Sequence, residues 1–192
     1  MSSASRLIRR ARRESHLSQT QLAQTSGIKQ SSISLYETGR RDPTTDTLDR
    51  LLSSTGSQLV AIKTRRPTVS AVAEQISADV AEGRFDNAYR SFLVANDTLR
   101  AETALNRILL SAEEPASTGD ARLDAALAGI VVYYLSPDGQ PLPEWVDQSS
   151  RFLIEPWYVD DSVYGREYDP AQTPKALLER NVVLSEEGLT NA

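Results

Sequence analysis

The apolar positions between Leu17 and Pro43 fall into two short helical sets with a glycine between them. In LSQTQLAQTSGIKQSSISLYETGRRDP, Leu22 and Ala23 belong to the first set, and Ile28, Ile33 and Tyr36 to the second. Their spacing lets two short helices share one small core. Ser18 is placed to cap a helix over Gln19–Thr25, Gly27 to supply a tight turn, and Gly39 to end a second helix over Lys29–Glu37. Lys29, Gln30, Ser31, Ser34 and Leu35 remain on the outward side of that second helix. Most of these are short or amide side chains, which can reach base edges without burying a charge.

The flanking pattern extends this unit in both directions. Ser5–Glu14 reads as a preceding helix with Leu7, Ile8 and Ala11 inward and Arg6, Arg9, Arg10, Arg12 and Arg13 as its charges. Pro43-Thr44-Thr45 opens a helix through Leu48, Leu51 and Leu52, with Thr44 as its cap. Gly56 ends it, and Gln58–Thr64 reads as a strand that needs a partner, from later in the chain or from a second subunit. Arg65-Arg66-Pro67 reads as a hinge and marks a boundary.

Taken together, Leu17-Ser18-Gln19, Gln21-Leu22-Ala23, Gly27-Ile28, Ile33-Ser34, Tyr36-Glu37, Gly39, Arg41, Pro43 and Leu48 resemble the Cro/repressor-type (XRE) helix-turn-helix family. The resemblance covers about the first third of the chain. It implies binding to double-stranded DNA, with the loop from Thr38 to Pro43 running along the backbone. It also implies that Arg12 pairs with Glu37. Such a pair makes physical sense, because an unneutralised carboxylate on a DNA-facing helix repels phosphate. Lys29, Gln30, Ser31 and Ser34 are then expected to select bases, while Gln19, Arg40 and Arg41 set affinity for any sequence. One such domain covers one half-site, so a homodimer on a palindromic operator is expected.

Beyond the hinge the pattern is helical again. Thr68 caps a helix with Val69, Val72, Ala73, Ile76 and Val80 at helical spacing, stopped by Gly83. Phe85, Ala88, Tyr89, Phe92 and Leu93 make a second, and Ala101, Leu105, Ile108 and Leu109 a third. After a loop at 115–119, Asp120–Leu135 is a long helix with Leu123, Leu127, Ile130, Val131 and Tyr134 as its buried stripe. Ser136–Gly139 is a turn, and Pro141 and Pro143 keep the following residues irregular. Trp145, Trp157, Tyr158 and Tyr164 gather most of the aromatic bulk there. Lys175–Arg180 is the last clear helix, and Val182–Leu184 a short strand.

Composition and charge narrow the chemistry. The chain has 192 residues, no cysteine and a single histidine, His16. Disulfides and thiolate metal sites are excluded, and a cytoplasmic location fits. No run of about 18 apolar residues suggests a membrane span, and the early arginines lack the apolar run of a secretory leader. Residues 1–66 carry 12 Lys/Arg against 5 Asp/Glu, a balance of +7, whereas residues 67–192 carry 9 against 21, a balance of −12. A basic head suits phosphate. The acidic remainder is either solvated or meets a basic protein. Glu155, Asp160, Asp161, Glu167 and Asp169 are the carboxylates of its tail half, but no histidine or cysteine joins them, and no metal, cofactor or catalytic constellation is expected. Glu155, Asp160 and Asp161 beside Trp157 and Tyr158 form the candidate partner surface.

The passages TRRPTVSAV, PASTGDARLDAALAGIV, LPEWV, PWYVDD and TPKALLERNVVL resemble the C-terminal region of actinobacterial regulators with an N-terminal helix-turn-helix. Some of these are similar to antitoxins encoded beside a nucleotidyltransferase-like toxin. The expectation is a mainly α protein: a five-helix-type helix-turn-helix domain at 1–66, a helical connector or dimerisation region at 67–119, and an acidic α-rich C-terminal domain with minor β at 120–192. The functional expectation is a non-enzymatic repressor, an autoregulating antitoxin. The alternative is a free-standing regulator whose C-terminal domain dimerises or binds a small ligand.

Overall fold

The computed structural model describes residues 3–61 and 66–190. The chain is mainly α-helical, with four short helices at the N-terminal end, a helical middle and a C-terminal region carrying minor β structure. It divides into two compact units, Met1–Lys63 and Thr64–Ala192.

Four helices build the first unit among the described residues, one fewer than the five-helix type: α1 Ser3–Glu14, α2 Gln19–Ser26, α3 Gln30–Glu37 and α4 Thr45–Ser53. Ile8, Leu22, Ile28, Ile33, Tyr36 and Leu51 form its core. Within α1, Ser5 is buried and Leu7 is exposed, contrary to the expectation for Leu7. The reason is the helical turn: Ser5, Ile8 and Arg12 stack along one face at i, i+3 and i+7, and Leu7 lies a quarter-turn aside. The expected strand at 58–64 is not present over 58–61, which has no regular structure and leaves Leu59 and Val60 exposed. Residues 62–64 of that expectation, and Arg65 of the hinge, lie outside the described residues.

The second unit is organised around α8, Ala121–Leu135, after α5 Val69–Ala81, α6 Phe85–Ala101 and α7 Ala104–Ser111. Every residue from Leu123 to Val131 is buried, so α8 is covered all round rather than along one stripe. Tyr134 is only half-buried and donates its hydroxyl to Asn96 Oδ1 at 3.0 Å. Gly129 lets the later helix that holds Leu177 approach: a Cβ there would stand 2.4 Å from Leu177 Cδ2. Residues 67–119 and 120–192 share one hydrophobic core, in which Val72, Ile76, Phe92 and Leu99 cluster with Leu123, Leu127 and Ile130.

Downstream, β1 Trp157–Tyr158 pairs in parallel with β2 Val182–Val183, with Trp157 opposite Val182 and Tyr158 opposite Val183. Between them lie α9 Val163–Gln172 and α10 Lys175–Leu178, and α11 Glu186–Thr190 follows. Neither α9 nor α11 is evident in the apolar pattern. Both are held by local caps or tertiary bonds: Ser162 accepts from the Gly165 amide, and Asn96 donates to the Leu189 carbonyl at 2.7 Å.

Candidate nucleic-acid interface

The ends of α2 and α3 are set by local capping. Ser18 and Gln21 form a reciprocal capping box at the start of α2. Gly27 takes φ 68°, which makes the turn without a Cβ penalty. At the end of α3, Gly39 has φ 71°. Its amide donates to Tyr36 at 3.0 Å, and the Arg40 amide donates to Leu35 at 3.0 Å, the two bonds of a Schellman ending.

A polar network then pins α3 to its neighbours. Arg12 Nε donates to Glu37 Oε1 at 2.6 Å and Nη2 to Oε2 at 3.0 Å, while Nη1 donates to the Leu17 carbonyl at 2.8 Å. Gln19 Nε2 donates to the same Glu37 Oε2 at 2.9 Å, and Gln30 Nε2 donates to Gln19 Oε1 at 2.9 Å. Arg9, one of the five arginines of α1, donates from Nη2 to the Glu37 carbonyl at 2.6 Å and so joins the interface network. Its spacing of three from Arg12 is the signal that puts both on one face of α1. Burial pushes the Glu37 carboxyl up. Hydrogen bonds from Arg12 and Gln19, with the charges of Arg12 and Arg9, more than offset this and hold it below its ordinary value. The bond to Glu37 in turn raises Arg12.

The surface left over is polar and cationic. Lys29 is the residue before α3, and it is exposed together with Gln30 and Ser31, whereas Ser34 is half-buried one turn on. Arg40 and Arg41 are exposed past the helix end, with the Arg41 guanidinium 6.0 Å from the Tyr36 ring centre. Gln19 is half-buried by the network, and one of its amide hydrogens remains for an outside acceptor. His16 sits in the turn between α1 and α2 with φ 54°.

The acidic surface of the second unit differs from its sequence picture. Trp157 and Tyr158 are half-buried and already engaged, Trp157 edge-on to Phe85 at 6.4 Å and Tyr158 beneath Arg166 at 5.2 Å. Asp160 accepts from the Ser162 amide at 2.9 Å, which holds it below its ordinary value, and Asp161 accepts from Arg166 Nε at 2.6 Å. Glu155 is exposed beside Ile154, which is 98% exposed and was not singled out by its sequence setting. These two, with Phe152, Trp157, Arg122 and Asp124, line an open groove of about 860 Å³. Glu167 is exposed, and the side chain of Asp169 lies outside the described residues. Among the described residues, no group of three or more His, Cys, Asp or Glu is placed to hold a metal ion, and no helix is long and apolar enough to cross a membrane.

Residues 8–61 match the family described as Helix-turn-helix, an XRE-like, non-catalytic DNA-binding fold. The first unit therefore carries a DNA-binding helix-turn-helix regulatory domain, and the match does not extend into the second unit. No curated protein and no solved structure matches the chain.

Proposed function

We propose that this chain, whose residues 8–61 are a DNA-binding helix-turn-helix, is a sequence-specific transcriptional repressor acting as a homodimer on a palindromic operator. One observation carries the reading. The only carboxylate of α3, Glu37, is turned inward and neutralised by Arg12, leaving Lys29, Gln30, Ser31 and Ser34 at the helix surface and Arg40 and Arg41 beyond its end. In this account the first four select bases, Arg40 and Arg41 hold phosphates, and Gln19 both steadies Gln30 and meets the backbone. Gel-shift titration of the full chain against the DNA upstream of its own coding sequence tests it. Saturable binding that survives excess unrelated duplex supports autoregulation, and equal competition by unrelated duplex counts against it.

The second unit, in this reading, neutralises a basic toxin, which makes the protein the antitoxin of a toxin–antitoxin pair. The supporting observation is the charge split, +7 over residues 1–66 and −12 over 67–192, with Glu155 exposed at the groove. Purification of the native protein with the product of the adjacent gene tests this. A stoichiometric basic partner, nucleotidyltransferase-like or otherwise, supports it, and a chain that purifies alone opposes it. The groove itself favours a second reading, a free-standing regulator with a small ligand. Its volume of about 860 Å³ falls within the usual range of such sites.

A further inference from the structure

One large apolar side chain on α3 has no place in the core. Ile33 and Tyr36 are buried, but Leu35 is 38% exposed. It lies four residues after Ser31 and three before the C-cap Thr38, on one helix face with both, and Ser34 flanks that face. That is the polar face left open when Glu37 turns inward to Arg12. The backbone at Leu35 is fixed as well, because its carbonyl accepts from the amides of Arg40 at 3.0 Å and Arg41 at 3.3 Å. The side chain is thus held in the last turn of α3, beside the loop that carries the two exposed arginines.

Leucine can neither donate nor accept a hydrogen bond, so it adds nothing to a phosphate contact. In the major groove only thymine presents an apolar group, its C5-methyl. We propose that Leu35 is a specificity-determining residue that reads the C5-methyl of a thymine in each half-site, an inference that rests on the DNA-binding reading above. Contact removes apolar surface of both groups from water, worth about fourfold in affinity for a methyl-sized group. Cytosine, which lacks the methyl, and the purines at that position forgo the contact.

The test uses the full chain and an operator selected from a randomised duplex library. Each thymine of that operator is replaced in turn by deoxyuridine, which lacks only the methyl group. The expected result is one position per half-site where replacement weakens binding about fourfold. At that position Leu35→Ala binds the thymine and deoxyuridine duplexes equally, while melting like the parent, since alanine suits an exposed helical site. Parent binding indifferent to every replacement overturns the role of Leu35 and leaves the DNA reading standing. A methyl effect of the same size in both Leu35→Ala and the parent also overturns it. A library that yields no preferred sequence overturns the DNA reading and this inference together.

Discussion

Arg12 and Glu37 grip each other through two parallel N–H···O bonds, 2.6 and 3.0 Å long, between the first helix and the end of the third. Glu37 is 2% exposed, so its charge has no recourse to water. Removing one partner of such a buried pair typically costs about 3–5 kcal/mol, because the other charge is left unpaired. Arg12→Ala is therefore expected to lower the melting temperature of the first unit by well over ten degrees, at roughly 4–8 °C per kcal/mol for a domain of this size. Scanning calorimetry of the parent and variant checks it. A variant that melts like the parent but binds DNA weakly would make Arg12 a phosphate contact.

Acid should expose the same pair. Glu37 is held below its ordinary value when folded, so the stability it contributes is present in full above the unfolded pKa, about 4.3, and is lost as pH falls through the folded value. The gap in melting temperature between the parent and Glu37→Gln should be widest near neutrality and close on acidification below about pH 4. A gap independent of pH would mean that the carboxylate charge is not what stabilises the unit.

Gln19 and Gln30 act together through their 2.9 Å amide bond. Gln30→Ala is expected to relax preference at particular base pairs, at a cost of about 1–3 kcal/mol for the preferred sequence. Gln19→Ala should blur the same positions, because it frees the Gln30 amide. Binding profiles over a library of single-base operator variants check both, and a Gln19→Ala profile parallel to the parent's would separate the two residues.

Arg40 and Arg41 should behave differently. Arg40→Ala is expected to weaken all sequences alike and to reduce the slope of log affinity against log salt by about 1. Anisotropy titrations across a salt series on specific and random duplexes measure this.

Much of the first unit is legible in its residues. Ser18, Gly27, Gly39 and Thr44 state where helices begin and end, since capping and positive φ are local requirements. The second unit is less legible for physical reasons. Strand β1 is only two residues long and exists through its pairing with Val182 and Val183. Along α8, Ala125, Ala126, Ala128 and Gly129 look indifferent to burial, yet they are what lets neighbouring elements close on every side. Of the interface residues, the outward positions of α3 follow from periodicity. The Arg9 bond to the Glu37 carbonyl depends on the helix crossing and cannot be read from spacing alone.

The shared core of the second unit carries a further prediction. A chain ending at residue 119 lacks α8 and leaves Val72, Ile76, Phe92 and Leu99 uncovered, so residues 67–119 should lose their helical structure while the first unit keeps its own core. Circular dichroism of that chain should show less helix than α1 to α7 would give together. Full retention of α5 and α6 would mean that the middle folds by itself. Partner binding is better probed without truncation, by Glu155→Lys and Ile154→Ser, which alter exposed groups and spare the core.

Sequence selection from random DNA separates a sequence-specific homodimer from an indiscriminate DNA binder. The full-length protein is equilibrated with a randomised duplex library, and the bound fraction is sequenced over successive rounds. A homodimer should enrich a palindromic motif whose half-sites lie about 10–10.5 bp apart centre to centre, or a multiple of that, and which sharpens with each round. A bound pool indistinguishable from the input after several rounds would contradict it.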